Sequence, residues 1–331
     1  MLEGRQMDAL LEKLAECFAF RSKDRGLSDG AEVTVEANPG TVTLEKLRSY
    51  RRSGVNRLSI GLQSAREEEL KALGRIHTWQ DFLDSYEGAR KAGFSNINVD
   101  LMSALPGQTA AAWAETLKRV VSLEPEHLSA YSLIIEEGTP FYDKYGGGKA
   151  DASELPLPGE EEDRLMYAWT KDFLMDRGYE RYEISNYARP QYACRHNVAY
   201  WKRRDYVGFG LGAASLRENV RWKNTDDLSK YLKLAGEEGM ETPLKEEILV
   251  LTKQAQMEEF MFLGLRLAEG CSGRNFEKIF GVPLEQVYAS ALGKLEREGL
   301  LRRDGRKDDV QFRLTDRGID VSNYALAEFL F

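Results

Sequence analysis

The sequence predicts an α/β protein: part of a parallel (β/α) barrel over residues 1–240, followed by a winged-helix-like domain over 241–331. Between Glu32 and Asn186, apolar runs alternate with amphipathic stretches of helical spacing. Such repetition implies right-handed β-α units on a parallel sheet. No glycine-rich dinucleotide turn opens the series, which points to part of a barrel more than to a Rossmann sheet. Near residue 240 the alternation stops. Helical stretches follow there, then a charged turn between two short strands.

Taken in order, the opening MLEGRQMDALLEKLAECF has apolar residues at helical spacing and lacks the charged-then-apolar layout of a signal peptide. Strands are expected at EVTVEA (32–37), RLSIGL (57–62), INVDLM (97–102), HLSAYSLII (127–135) and RYEISN (181–186). Between them, TLEKLRSYRRSG, TWQDFLDSYEGARKAG, TAAAWAETLKRVVSLE and EEEDRLMYAWTKDFLMDRG are helices, with Gly54 and Gly93 suited to C-caps. GGGKADASELPLPGEEED (146–163) is loop-like. Beyond it, KEEILVLTKQAQMEEFMFLGLRLAEG reads as one long amphipathic helix, and NFEKIFGV and LEQVYASALGKLEREGLL as shorter ones. LRRDGRKDDVQFRLTDRG reads as the hairpin of a wing, before a closing helix.

An apolar fraction of 42% over 331 residues is enough to build a core and excludes a disordered chain. No run of about 18 uncharged apolar residues is present, so no membrane span is expected. A net charge of −8 argues against a protein whose main task is to hold phosphate backbones. Cys17, Cys194 and Cys271 are far apart, so no pair has chelating or redox spacing, and each reads as a small buried or half-buried thiol. Sparse, odd cysteines fit a reducing compartment, and the cytoplasm is the expected location.

Four polar residues form the informative set. Glu36 lies in VEANPG, Gln63 ends RLSIGLQS, Asp100 sits in NINVDLMSALPGQT, and Arg75 follows in LGRIH. Late-strand polar residues on a barrel point to one rim, where carboxylates take hydroxyls or an ammonium and a guanidinium takes a carboxylate. Any one of them alone would more simply tidy a strand end by bonding a loop amide.

EVTVEANPGTVT, GVNRLSIGLQS, LGRIH, NINVDLMSALPGQT and HLSAYSLIIEEGTPF resemble the radical S-adenosylmethionine family of oxygen-independent coproporphyrinogen oxidases, and are closest to its HemW-type heme chaperone branch. The resemblance runs over nearly the whole chain. It implies a partial (β/α) barrel with a C-terminal winged-helix-like domain, and contacts from Glu36, Gln63, Arg75 and Asp100 to S-adenosylmethionine. It also implies a [4Fe–4S] cluster, held by the three thiolates of a C-x-x-x-C-x-x-C loop. That loop and the G-G-G-T-P strand after it are absent from the sequence. Met1 is therefore expected to fall downstream of both, so that the barrel lacks its first units.

RHNVAYW (195–201) carries one of only three histidines, beside His77 and His127. On its own His196 reads as a hydrogen-bonded structural histidine, with Tyr200 and Trp201 as core or rim aromatics. The resemblance changes that reading. H-N-x-x-Y-W is a motif of the HemW-type branch linked to heme binding, and the catalytic oxidases do not share it. An imidazole is a common axial ligand of heme iron, and flat aromatics stack on a porphyrin. Hence His196 is expected to bind the metal, with Tyr200 and Trp201 against the ring. Arg195, Lys202, Arg203 and Arg204 would form a basic rim for the propionates; otherwise they are a solvated loop.

The resulting expectation is a heme-binding chaperone or carrier without radical chemistry in this chain, serving heme-acceptor proteins such as respiratory enzymes. The alternative is an oxygen-independent coproporphyrinogen III oxidase-like radical enzyme, against which the missing loop and HNVAYW both count. A nucleic-acid module built on the wing is disfavoured by Asp304, Asp308 and Asp309 among its basic residues.

Overall fold

The computed structural model describes residues 2–18, 30–146, 155–234, 243–306 and 309–331. They form two compact units, Met1–Cys194 and Arg195–Phe331.

In the first unit, helix α1 (Gly4–Cys17) precedes β1 (Thr34–Ala37), α2 (Leu44–Ser53), β2 (Arg57–Gln63), α3 (Glu67–Ala72), α4 (Trp79–Lys91), β3 (Ile97–Ser103), α5 (Ala110–Val121) and β4 (His127–Ser132). Then come α6 (Pro140–Tyr145), α7 (Glu160–Met175), β5 (Glu180–Arg181) and β6 (Asn186–Ala188). Helix starts follow side-chain caps: Thr43, Thr78 and Thr109 accept from Lys46, Asp81 and Ala112 amides. Gly54 closes α2 at φ +110°, a left-handed value that favours glycine, and Gly93 follows α4 at φ +91°.

The sheet runs β1-β2-β3-β4-β6-β5. Its first four strands are parallel, while β6 pairs antiparallel to β4 and β5 antiparallel to β6. RYEISN is thus not a fifth parallel strand. The Glu183 carboxylate accepts the Ser185 amide at 2.8 Å and the Asn186 side chain at 2.6 Å, and this local bonding turns the chain back on itself. Strand alternation separates two faces. Leu58, Ile60, Leu62, Ile97, Val99 and Leu101 are fully buried in the core that also holds Leu47, Phe82 and Trp113 from the helices. The intervening residues are mostly polar.

The second unit begins with α8 (Arg195–Trp201), followed by β7 (Ala214–Arg217), β8 (Val220–Asn224), α9 (Leu228–Leu234) and β9 (Lys245–Val250). The chain continues through α10 (Lys253–Gly264), β10 (Cys271–Ser272), α11 (Gly273–Phe280), α12 (Leu284–Arg297), β11 (Leu301–Arg306), β12 (Asp309–Leu314), α13 (Asp316–Asp320) and α14 (Ser322–Ala327). Two features differ from expectation. KEEILV is a strand rather than the start of a long helix. It pairs antiparallel with β8, and α10 starts only after Thr252, whose hydroxyl accepts the Ala255 amide. Because β7-β8-β9 is one sheet, it joins 214–224 to 245–250 across residue 240, and the compact units divide at 194/195 instead. The wing hairpin β11-β12 pairs from Leu301↔Leu314 to Arg306↔Asp309, with β10 on its other edge. Asp308 and residues 147–154 of the long loop lie outside the described residues.

Candidate functional site

The polar face of the first sheet is assembled by register. Glu36 stands level with Ser59, Ser59 with Asn98, and Asn98 with His127; one layer on, Asp100 stands level with Ser129. Asn98 ties the rows together. Its Nδ2 donates to Ser59 Oγ and to Asp100 Oδ1, each at 2.7 Å, and its Oδ1 accepts from His127 Nδ1 at 2.6 Å and Ser129 Oγ at 3.2 Å. Ser59 donates in turn to Asp100 Oδ2 at 3.1 Å. Burial raises the Asp100 pKa, opposed by these hydrogen bonds, and the Glu36 charge raises it further.

Asp100 is the central residue of β3, not a strand-end residue as its place in the sequence suggested. Gln63 does end β2, at a buried position with φ +70°, where the β2/β3 pairing is irregular. Arg75 lies in the turn after α3 and donates to Asn38 Oδ1 at 3.4 Å. Tyr131 of β4 contacts one of the four directly. Its hydroxyl donates to Gln63 Oε1 at 3.4 Å. Its pKa is pushed up to about 12, chiefly by burial and next by the Asp100 charge, with Arg75 opposing and Glu36 adding. Tyr131, Asn98 and Ser59 escaped the sequence reading, which noted His127 only as one of three histidines. The signal was present as period-two polarity in N-x-D (98–100) and H-x-S-x-Y (127–131), which places all five on one face.

Helix α8 carries the second set. His196 is exposed, and its ring meets Tyr200 edge-on at 4.6 Å; Tyr200 meets Tyr206 in the same way at 4.5 Å. The i, i+4 spacing puts His196 and Tyr200 on one side of the helix. Trp201, about 100° further round, lies elsewhere. Its ring stacks on the Arg266 guanidinium at 4.4 Å and lines a cavity of about 600 Å³ with Lys202, Arg203, Phe260, Leu267 and Arg313. The HNVAYW residues therefore do not converge on one surface. Nor is the basic rim wholly available: Lys202 pairs with Glu269 and Arg203 with Glu259, each at 2.7 Å, while Arg204 is exposed.

The other two histidines are internal. His77 is buried and its Nε2 bonds the Leu62 carbonyl at 3.1 Å; His127 is fully buried and bonded at both nitrogens, to Asn98 and to Tyr182. Cys17 is exposed on α1, Cys194 is buried with its thiol directed to Glu32, and Cys271 is buried in the second unit. Burial raises the Cys271 pKa well above the usual thiol range. No two of these thiols share an element, and the residues of this chain do not fit a [4Fe–4S] cluster.

Residues 5–120 match the model of the Radical SAM superfamily, and residues 251–321 that of the HemN C-terminal domain. The chain is thus a radical-SAM-type α/β unit joined to a HemN-type C-terminal domain. It is 36% identical over 330 residues to the heme chaperone HemW of Lactococcus lactis subsp. lactis (strain IL1403), covering 100% of this chain and 82% of that protein. It is 37% identical over 303 residues to heme chaperone HemW of Bacillus subtilis (strain 168), covering 92% and 77%. The chain belongs to the HemW family of heme chaperones. Its fold is also that of coproporphyrinogen III oxidase (HemN) from Escherichia coli, a radical SAM enzyme, with a TM-score of 0.77 at 23% identity, covering 99% of this chain and 74% of that one.

Proposed function

We propose that this protein carries heme as cargo, with His196 as the axial iron ligand and Tyr200 beside it, and hands it to heme-acceptor proteins such as respiratory enzymes in the cytoplasm. One observation carries the reading: of the three imidazoles, that of His196 is exposed, whereas those of His77 and His127 are buried. An iron ligand must offer a ring nitrogen at a surface the macrocycle can reach. Arg204 is exposed just beyond the same helix and is suited to a propionate. Trp201 supports the helix from its far side through Arg266.

The polar face of the first unit suits S-adenosylmethionine, with Glu36 and Asp100 toward its ammonium and ribose hydroxyls, Arg75 toward its carboxylate, and Gln63 and Tyr131 between them. A [4Fe–4S] cluster, when present in the family, supplies the electron for radical chemistry; nothing in this chain's thiols is arranged to hold one. Phosphate backbones are a poor match for the wing, where Arg302 and Arg313 pair with Asp304, and Arg303 with Glu296. Among the described residues no helix is long and apolar enough to cross a membrane. Titration of the purified full chain with hemin, followed by the Soret band, tests the carrier reading: a saturable shift at one equivalent supports it, and a featureless, non-saturating rise overturns it.

A further inference from the structure

Helix α8 has seven residues and buries none of them. A helix so short does not hold itself in water, so tertiary contacts decide where it stands. Three consecutive residues at and just beyond its C-terminal end supply such contacts. The Trp201 ring stacks on Arg266, Lys202 Nζ pairs with Glu269 at 2.7 Å, and Arg203 Nε donates to Glu259 Oε2 at 2.7 Å. The two ion pairs differ in kind. Lys202 and Glu269 are 39% and 57% exposed, where solvent screens the attraction and the pair fixes little. The Arg203 and Glu259 side chains are only 14% and 7% exposed, and the second Glu259 oxygen pairs with Arg221 Nη1 of β8 at 2.9 Å. A buried carboxylate between two guanidiniums holds its geometry, because losing either partner strands a charge away from water. Arg203 Nη1 donates further to Asn219 Oδ1 at 2.9 Å.

The backbone of Arg203 is strained. Its φ is +51°, in the left-handed region, while its N–H donates to the Tyr200 carbonyl and the Arg204 N–H to the Ala199 carbonyl, each at 2.9 Å. This pair of bonds closes helices whose next residue is usually glycine, which adopts that φ without steric cost. Arginine bears the cost here. A residue in a disfavoured conformation persists when its surroundings fix it there, and the Arg203 side chain is fixed by Glu259 and Asn219.

We infer that Glu259 is a positioning residue for heme ligation: through Arg203 it fixes the end of α8, and with it the imidazole of His196 and the ring of Tyr200. The inference rests on the heme-carrier reading and adds to it the element that sets the ligand's orientation. Glu259 lies on α10, 56 residues beyond Arg203 and inside the segment that matches the HemN C-terminal domain. It acts through Arg203 rather than on iron or macrocycle. His196 and Tyr200 meet edge-on on one side of α8, so a turn or slide of the helix displaces both together. A metal ligand needs its orientation held by neighbouring groups, and loosening α8 is therefore read first in the coordination of the iron.

The test is titration of the full chain with hemin, read by affinity, Soret position and ferric spin state, with circular dichroism and thermal melts as folding controls. Glu259→Gln keeps the side-chain shape and removes the charge. It should weaken hemin binding by about tenfold, the scale of one lost charge-assisted hydrogen bond, and turn a single ligated spectrum into a mixture of spin states. Arg203→Gly suits the left-handed backbone but removes the guanidinium, and it should give the same mixture. Arg203→Lys, which keeps a cation opposite Glu259, should recover most of the wild-type spectrum. Glu269→Gln, at the exposed pair, should leave affinity within about twofold of wild type. If folded Glu259→Gln and Arg203→Gly both show wild-type affinity and spectrum while His196→Ala loses the spectrum, the inference is overturned and the carrier reading stands. Binding lost by Glu259→Gln only in proportion to its unfolded fraction also overturns it, because the residue is then merely structural. Retention of the ligated spectrum by His196→Ala removes the ligand assignment itself, and this inference with it.

Discussion

His127 donates its Nδ1 proton to Asn98 Oδ1 across 2.6 Å. The direction is set by Asn98, whose Nδ2 is already donating to Ser59 and Asp100. Nε2 then accepts from the Tyr182 hydroxyl at 2.9 Å, so the imidazole is neutral and has no nitrogen left for a metal. Its pKa lies well below the ordinary value because it is buried, with the Arg57 charge adding to the effect.

From this follows a pH dependence. The unfolded chain takes a proton at His127 below about pH 6.5 and the folded chain does not. The contribution is intact above that pH and is lost as pH falls through it, by up to about 1.4 kcal/mol per pH unit. Urea unfolding from pH 7.5 to 5 should show a shallower loss in His127→Gln than in wild type. Parallel curves for the two proteins would show that His127 is not the group responsible.

Asp100 has the opposite sign. Burial raises its pKa in the fold, so its contribution is fully present below the unfolded value of about 3.9 and is lost as pH rises through the folded value. At neutral pH the raised pKa is a net cost to the fold, retained beside Glu36 on the face proposed for S-adenosylmethionine. Asp100→Asn should melt at a higher temperature than wild type at pH 7.5, and the gap should close toward pH 4. A lower melting temperature at pH 7.5 would mean that the hydrogen bonds from Asn98 and Ser59 outweigh desolvation.

His196→Ala should change stability by no more than about 0.5 kcal/mol, as expected for an exposed position, while abolishing the ligated Soret spectrum. His77→Ala and His127→Ala should do the reverse, lowering stability by roughly 1–3 kcal/mol through the buried groups they strand and keeping the spectrum when folded. Full heme ligation by His196→Ala would remove that residue from the site.

Trp201→Ala should act on stability before heme. The indole stacks on Arg266 and lines the cavity beside Phe260, on a different side of α8 from His196. Its loss is expected to cost roughly 1–3 kcal/mol, with hemin affinity falling less than in His196→Ala. Greater loss of affinity in Trp201→Ala than in His196→Ala would put the macrocycle on the Trp201 side.

Much of the barrel was legible because its signals are local. Thr43, Thr78 and Thr109 cap helices by bonding amides three residues on, and strands of alternating polarity declare their two faces whatever they pair with. RYEISN and KEEILV were misread because neighbours decide them. The Glu183 turn folds the first into a hairpin. Pairing with β8 holds the second extended, although its charged and apolar residues also suit a helix.

The sequence by itself determined the α/β alternation, the helix ends, the family resemblance and the single RHNVAYW segment, since each is a matter of residues near one another in the chain. Only the tertiary structure decided which imidazole is exposed and which are buried. Exposure and hydrogen bonding depend on what packs around a side chain: Asn98 and Tyr182 enclose His127, and the Leu62 carbonyl engages His77. Helical geometry and the packing of Arg266 likewise parted Trp201 from His196 and Tyr200, which the sequence had written side by side. The tertiary structure also brought Tyr206 against Tyr200. Burial is a property of the whole fold, and no local pattern of residues specifies it.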